Sequence, residues 1–216
     1  MQRRTLLTLP LWSVAAITPI TRTTQAQAQA PATVLTRVET ALGSFVIAVD
    51  PSRAPGTVAN YLAYVDAKSL DSSSVYRIVT LANQPDETKH KISIVQWGLN
   101  LADEAKPRLP AIGHETTQQT GLRHLDGTLS MARNGPGTAA AEFFICIGDQ
   151  PELDFGGRRN PDGLGFAAFG QVVAGLGVLQ ALYRLGQASQ YVKPPVAVLT
   201  VRRVRAEEVE ATADKR

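Results

Sequence analysis

Two short apolar segments joined by a loop of small residues place the tightest limit on how this 216-residue chain can fold. Residues 128–132 and 143–147 have the length and apolar character of buried β-strands, and the sequence Asn-Gly-Pro-Gly at 134–137 is a strong turn signal. Successive side chains of a strand point to opposite faces of a sheet. We therefore predict that one of Phe143 and Phe144 fills a core and that the other lines a surface groove.

The rest of the chain adds many strands and few helices. Apolar residues at 58, 61, 62 and 65 repeat with helical spacing after Pro55, and those at 176, 179, 182 and 183 predict a second amphipathic helix that ends at Gly186. Two helices are too few to cover both faces of a parallel sheet. We therefore predict a mainly β fold, a closed antiparallel barrel with one helix over each open end. Further strands are expected at residues 33–39, 44–49, 74–80, 91–96 and 196–204.

The first 28 residues have the composition of a signal peptide. They contain Arg3, Arg4 and Arg22 but no acidic residue, and the apolar stretch at 6–20 is short for a membrane span. Small residues allow cleavage after residue 28 or as late as residue 30. Arg3 and Arg4, followed by Thr-Leu-Leu, resemble a twin-arginine export motif, and the general secretory route stays open. We expect a periplasmic or secreted protein without stable membrane insertion, with a folded domain at 29–206 and a polar C-terminal tail at 207–216.

Charge and side-chain chemistry argue against several function classes. The predicted leader holds three of the 22 basic residues, so the remainder balances the 19 acidic residues and gives no support for nucleic-acid binding. Cys146 is the only cysteine, so no intramolecular disulfide can form. The spacing of His90, His114 and His124 matches no metal motif. We expect neither a metal nor another cofactor.

Several ordered motifs across residues 34–204 resemble the cyclophilin family of peptidyl-prolyl cis-trans isomerases. The sequence after residue 127 has the family's order of strand, Gly-Pro loop, acidic or amide residue and Phe-Phe-Ile. The other landmarks are Ala54-Pro55, Tyr76-Arg77-Ile78, Gln96-Trp97-Gly98, Leu153-Asp154 and Phe169-Gly170. The resemblance implies a closed eight-stranded antiparallel β-barrel, capped by two α-helices, with an interior filled by side chains. Substrate would then bind on the outer surface of the barrel.

The same resemblance implies which residues form the site. Arg77 takes the position of the catalytic arginine, and Gln96 that of the glutamine that anchors the substrate backbone and orients the arginine. The proline pocket maps to Ile94, Phe144 and Leu153, with Met131 as a wall or as packing beneath it. The remaining substrate-binding positions are Ala132, Arg133, Asn134, Glu142 and Phe166, of which Arg133 and Asn134 are expected to act through their main-chain groups.

The chemistry implied for Arg77 is non-covalent. Rotation about an X–Pro bond meets a barrier of about 18–20 kcal/mol, which comes from amide resonance. A donor directed at the prolyl nitrogen stabilises the lone pair of the twisted amide and so favours the transition state over the ground state. A guanidinium suits this role because it stays charged and its fork of donors holds one geometry.

Some positions depart from the family pattern, namely Tyr76, Ser93, Trp97, Glu142, Glu152 and Phe166. Ser93 and Glu152 stand where the family has aromatic residues, and Trp97 is expected to restore part of that aromatic surface from a neighbouring position. Glu142 is expected to pair with Arg77 beside the groove. Residues 155–165 predict a longer loop than the shortest family members carry.

Two interpretations stay open and a third is disfavoured. The leading one is a monomeric isomerase that acts on X–Pro bonds of unfolded or flexible polypeptides during the folding of exported proteins. The alternative is a weakly active or inactive proline-peptide-binding module or chaperone. A hydrolase that uses Ser130 or Ser93 is disfavoured, because no Gly-x-Ser-x-Gly elbow or suitable histidine accompanies either serine. The sequence does not determine the client proteins or the preferred residue before proline.

Overall fold

The computed structural model describes residues 33–100 and 109–213. The predicted signal peptide, at 1–28 with cleavage as late as 30, lies outside the described residues. None of the described helices has the length and apolar character that a membrane crossing needs.

Eight antiparallel strands close into a barrel, as predicted. They are β1 (Val34–Thr40), β2 (Gly43–Val49), β3 (Ser73–Val79), β4 (Ile94–Gly98), β5 (Thr128–Met131), β6 (Glu142–Cys146), β7 (Ala167–Ala174) and β8 (Tyr191–Val204). Their order around the barrel is β1-β2-β7-β5-β6-β4-β3-β8. Because β4 lies between β3 and β6, Gln96 is the cross-strand partner of both Arg77 and Phe144. The barrel therefore brings together three predicted site residues that are far apart in sequence.

The last strand is longer than the sequence indicates. The sequence predicted a strand at 196–204, whereas β8 begins at Tyr191 and includes Pro194 and Pro195, which cannot donate to a regular ladder. In the structure the pairing of β3 with β8 shifts register between Val75, which pairs with Val196, and Arg77, which pairs with Tyr191. This irregularity accommodates both prolines and brings the start of β8 beside Arg77.

Two amphipathic helices, α1 (Pro55–Asp66) and α3 (Leu176–Tyr183), pack against barrel strands as expected. Proline is favoured in the first turn of α1 because its missing N–H would have no helical partner there. The carboxylate of Glu115 accepts hydrogen bonds from the backbone N–H groups of Gly56 and Thr57, at 3.0 and 2.7 Å. A carboxylate at this end satisfies free donors and complements the helix dipole.

Two further helices are α2 (Thr117–Thr120) and α4 (Ala206–Ala213), and short 3-10 helices occur at Leu81–Asn83 and Pro151–Leu153. Helix α4 lies where the sequence indicated the start of a polar tail. The Arg37 side chain donates to the backbone carbonyl of Glu208 at 2.7 Å, which ties the helix to β1.

Aromatic side chains fill the barrel. The ring of Phe143 packs edge-on against Tyr61 and is tilted against Trp97, with centroids 5.2 Å apart in both pairs. Phe169 lies 6.2 Å from Phe143. Phe144 instead belongs to a second apolar cluster outside this core. The predicted division of the two phenylalanines between core and groove is confirmed, and the packed interior leaves the outer face for ligands.

Candidate active site

A cavity of about 380 Å³ lies on the outer face of the barrel, beside β3, β4 and β6. Its floor is the second apolar cluster, to which Ile94, Phe144 and Leu153 contribute buried side chains. An apolar floor with a few polar groups around it is the usual form of a site for a small ligand group. The lining residues are Tyr76, Arg77, Ile92, Ile94, Gln96, Asn100, Ala132, Arg133, Asn134, Phe144, Leu153, Arg159, Asn160, Phe166 and Tyr191.

All but two of the predicted site residues line this cavity; the exceptions are Met131 and Glu142. Met131 is the cross-strand partner of Phe143, whose side chain points into the barrel, and it is only 1% exposed within the same core. It is therefore core packing and not a wall of the cavity. Glu142 is also 1% exposed and does not reach the cavity.

Arg77 is held in place by two amide oxygens. Its Nη1 donates to Gln96 Oε1 at 3.0 Å, while Nε and Nη2 both donate to Gln190 Oε1, at 3.2 and 2.8 Å. Gln190 is itself anchored, because its Nε2 donates to the Asn83 carbonyl at 3.0 Å. The guanidinium therefore keeps a defined orientation beside the apolar floor, and its partners are neutral.

A chain of hydrogen bonds continues behind Arg77. Gln96 Nε2 donates to the Tyr76 hydroxyl at 2.5 Å, and that hydroxyl donates to Glu142 Oε2 at 2.8 Å. Burial, together with the Glu142 charge, raises the pKa of Tyr76 far above its ordinary value, so the phenol stays protonated and remains a donor. The expectation that Glu142 pairs with Arg77 is wrong. The carboxylate contacts the tyrosine, and the glutamine separates it from the arginine.

Aromatic contacts fix the cavity floor from two sides. Phe166 meets Phe144 edge-on, with ring centroids 5.3 Å apart. On the other side the His124 ring stacks on Phe144 at 6.0 Å and an interplanar angle of 13°. Leu153 is fully buried beside them. These contacts hold the Phe144 ring in place, and together with Leu153 it forms an apolar floor.

Arg133 contributes through its side chain as well as its backbone. Its guanidinium makes two hydrogen bonds to the carboxylate of Asp162, at 2.8 and 3.0 Å, and its Nε donates to the Gly165 carbonyl. It also lies over the Phe166 ring, 5.3 Å from the centroid. This clamp holds the long loop at 155–165 against the cavity, a role that the sequence did not indicate.

Two of the departures from the family pattern, Tyr76 and Phe166, line the cavity, whereas Ser93, Trp97, Glu142 and Glu152 do not. Trp97 is 1% exposed in the barrel core, so the expectation that it restores aromatic surface to the pocket is wrong. Ser93 accepts a hydrogen bond from the Tyr183 hydroxyl at 3.0 Å. Glu152 pairs with Arg158 at 3.0 Å. The cavity wall uses Ile92 and Arg159 instead.

A Ser-His-Asp arrangement lies beneath the floor, although no histidine suitable for Ser130 was recognised in the sequence. His124 Nε2 is 2.9 Å from Ser130 Oγ, and His124 Nδ1 is 2.8 Å from Asp154 Oδ1. Ser130 is 0% exposed and His124 1% exposed. A nucleophile must reach its substrate, so this buried network supports the Phe144 floor and does not form a hydrolase site.

The described residues contain no group of three or more His, Cys, Asp or Glu side chains that could hold a metal ion. Cys146 is buried on β6, and burial raises the pKa of its thiol well above the ordinary value. A thiol with a raised pKa is a poor nucleophile. Arg77 and Gln96 are therefore the polar side chains best placed to act on a ligand in the cavity.

The family model described as "Cyclophilin type peptidyl-prolyl cis-trans isomerase/CLD" matches residues 35–205. The chain belongs to the cyclophilin family. A peptidyl-prolyl cis-trans isomerase of Streptomyces antibioticus is 32% identical over 146 residues, which cover 67% of this cyclophilin and 80% of the relative. Peptidyl-prolyl cis-trans isomerase B of Escherichia coli is 29% identical over 141 residues, with coverages of 65% and 78%. The family and these relatives confirm the prediction of an enzyme of the peptidyl-prolyl cis-trans isomerase class.

Solved structures agree with the fold of this cyclophilin. A crystal structure of a cyclophilin-type isomerase from Cryptosporidium parvum superposes with a TM-score of 0.64 at 18% identity, covering 80% of this chain and 98% of that one. A second structure of the same protein, in the presence of the dipeptide Ala-Pro, gives a TM-score of 0.62. At 18% identity this similarity supports the eight-stranded barrel fold alone.

Proposed function

We propose that this cyclophilin accelerates cis–trans isomerisation of X–Pro bonds in unfolded or flexible polypeptides, acting as a monomer, and that Arg77 stabilises the transition state. The observation that carries the proposal is the position of the Arg77 guanidinium. It lines a cavity with an apolar floor, and its described hydrogen bonds go to the amide oxygens of Gln96 and Gln190, which leave its charge intact. Rotation about a C–N bond breaks no covalent bond, so no cofactor is required.

The cavity floor would hold the proline ring. Ile94, Phe144 and Leu153 offer apolar contacts, and their burial keeps water away from one side of the ring. A charged donor acts more strongly in such a partly dry site than in bulk water. The ring would thus be fixed while the rest of the peptide rotates about the X–Pro bond.

Arg77 would act as the amide twists. Loss of resonance leaves a lone pair on the prolyl nitrogen, which the planar ground state does not offer to a donor. A guanidinium N–H directed at that nitrogen therefore binds the twisted state more strongly than the planar one. Because Gln96 and Gln190 already fix the guanidinium, little reorganisation is needed at the moment of rotation.

Gln96 would orient Arg77 and also contact the substrate. Its Oε1 accepts from Arg77 and its Nε2 donates to Tyr76. A primary amide carries two N–H donors. The second Nε2 hydrogen is therefore the group we assign to a substrate carbonyl, which keeps the anchoring role that the sequence indicated.

We also propose that the clients are exported proteins. The support is the leader-like composition of residues 1–28, with Arg3 and Arg4 before an apolar stretch. Replacing both arginines with lysine should leave the precursor in the cytoplasm if the twin-arginine route is used, as fractionation of expressing cells would reveal. Export that continues unchanged would favour the general secretory route instead.

Exchange measurements by NMR on an Ala-Pro tetrapeptide separate an isomerase from a peptide-binding module. For an isomerase, catalytic amounts of the full chain should speed the cis–trans exchange of the peptide resonances. A module would shift those resonances on binding without speeding exchange. Neither shift nor exchange at millimolar peptide would contradict both functions.

A further inference from the structure

A second guanidinium lines the same cavity as Arg77. Arg159 belongs to the long loop at 155–165, and its Nη1 donates both to Gln84 Oε1 at 3.1 Å and to the His90 carbonyl at 3.0 Å. Its backbone N–H donates to the Glu152 carbonyl at 3.1 Å. The side chain is therefore fixed in the cavity wall and does not extend into solvent.

Much of the Arg159 hydrogen-bonding capacity is unused. An arginine side chain has N–H donors on Nε, Nη1 and Nη2, and both side-chain bonds of Arg159 use Nη1. Its Nε and Nη2 have no hydrogen bond within the part of the chain that the structure describes. Together they form an edge of the guanidinium that can hold a carboxylate by two parallel hydrogen bonds.

The charge of Arg159 is also uncompensated in the described structure. Of the nearby arginines, Arg133 pairs with Asp162 and Arg158 pairs with Glu152. The described hydrogen bonds of Arg159 and Arg77 go instead to neutral oxygens, and none of the described lining residues is acidic. Burial, and then the charge of Arg77, lowers the pKa of Arg159 below its ordinary value, as expected for two cations that line one cavity.

We propose that Arg159 makes this cavity selective for prolines that have an aspartate or glutamate within about two residues, the distance that an extended peptide can bridge across such a cavity. The carboxylate binds the Nε and Nη2 edge of Arg159 and offsets its repulsion with Arg77. The selectivity rests on the proposed isomerase function of the cavity. It adds a substrate class to that function, acidic proline-containing segments.

The neighbouring residue provides a second donor in this wall. Asn160 lines the cavity, and its Nδ2 is buried without an acceptor among the described residues. A buried donor without a partner is unfavourable. An acceptor brought in by an acidic ligand would satisfy it along with Arg159.

Matched peptides test this selectivity. Tetrapeptides that differ only in carrying Glu or Gln, placed either before or after the proline, are compared by NMR exchange and by chemical-shift titration. A protease-free assay is needed because a protease would restrict the residue after proline. For the full chain we expect kcat/KM to be about fivefold to tenfold higher for Glu than for Gln on at least one side of the proline, since charge-assisted hydrogen bonds exceed neutral ones. The ratio should fall as salt is added.

Two variants assign the effect to one side chain. Arg159→Gln should bring the Glu/Gln ratio to about one, and Arg159→Lys should retain part of it because charge remains without the fork. Arg158→Gln removes the same charge from the adjacent residue, which is paired and 72% exposed, and should keep the full ratio. A wild-type ratio near one, or a ratio that survives in Arg159→Gln with a normal melting temperature, would overturn the selectivity. If no peptide is isomerised at all, the proposed function fails, and the Glu/Gln ratio of dissociation constants still decides the role of Arg159.

Discussion

Gln190 Oε1 accepts hydrogen bonds from both Nε and Nη2 of Arg77, at 3.2 and 2.8 Å. Gln190 thereby fixes one edge of the guanidinium while Gln96 holds Nη1. The backbone of Gln190 is left-handed, with φ of 63°, at the entrance to β8. This conformation aims the side chain back toward β3, so the residue positions Arg77 without lining the cavity itself.

Replacing Gln190 should therefore impair turnover more than binding. We expect Gln190→Ala to lower kcat by about tenfold with KM little changed, because a guanidinium that moves loses part of its preorganised field. Gln187→Ala, an exposed neighbour in the same connection, is the matched control. Equal kinetics for the two variants would show that Gln190 does not position Arg77.

The Tyr76 hydroxyl joins Gln96 to the buried carboxylate of Glu142. Tyr76→Phe should lower the free energy of unfolding by about 1–3 kcal/mol, because it removes a donor from a buried carboxylate. It should also lower kcat, since Gln96 loses its own anchor. Denaturant unfolding and exchange kinetics measure the two effects separately, and a variant as stable as wild type would contradict the network.

Glu142→Gln tests the same network from its other end. A direct pair with Arg77 would predict a gain of activity on neutralising Glu142, but Tyr76 and Gln96 lie between the two. We therefore expect no gain in kcat/KM, because a glutamine oxygen can still accept from Tyr76. A rise of a few-fold would show that the Glu142 charge does reach the reacting nitrogen.

Asp154 predicts an acid-sensitive part of the stability. Burial acts to raise its pKa, but hydrogen bonds from the His124 side chain and backbone outweigh it and hold the pKa of Asp154 below its ordinary value. Such a group stabilises the fold above its unfolded pKa of about 3.9, and this contribution is lost as pH falls through the lower folded value. Melting temperature measured from neutral pH down to about pH 3 should therefore fall more steeply in wild type than in Asp154→Asn. Parallel curves would contradict the assignment.

The buried Ser-His-Asp network predicts a negative result for hydrolysis. Ser130→Ala should keep isomerisation within about twofold of wild type and lower stability by about 1 kcal/mol, because His124 Nε2 loses its partner. Wild type should show no esterase activity on a p-nitrophenyl ester beyond that of heat-denatured protein. Esterase activity that disappears in Ser130→Ala would revive the hydrolase interpretation.

Strand periodicity predicted much of this architecture from the sequence. The alternation at Phe143 and Phe144 assigns the two rings correctly to core and cavity. The same period places Ile94 and Gln96 on one face of β4 and Trp97 on the other, so the interior position of Trp97 was available from the sequence. Met131 needed more than periodicity, because its inward direction follows from pairing with Phe143.

Other parts of the site depend on irregular backbone that no local pattern predicts. Gln190 reaches Arg77 because the pairing of β3 and β8 shifts register at that point. Arg159 reaches the cavity from a long loop that the Arg133–Asp162 contact clamps in place. Both positions are set by tertiary contacts between distant segments. The Ser130–His124–Asp154 network was missed for the same reason, since Asp154 comes from a segment remote from the other two.

The role of Arg77 is the central claim, and the kcat/KM of Arg77 variants for an X–Pro peptide tests it most directly. We expect Arg77→Ala to lower kcat/KM by about 100-fold, the usual cost of removing a transition-state donor, with an unchanged melting temperature. Arg77→Lys should lose most activity as well, because a point-charge ammonium cannot reproduce the fork by which Arg77 meets Gln96 and Gln190. Arg184→Ala, which removes an exposed arginine outside the cavity, should behave as wild type. An Arg77→Ala rate within about twofold of wild type would contradict the account.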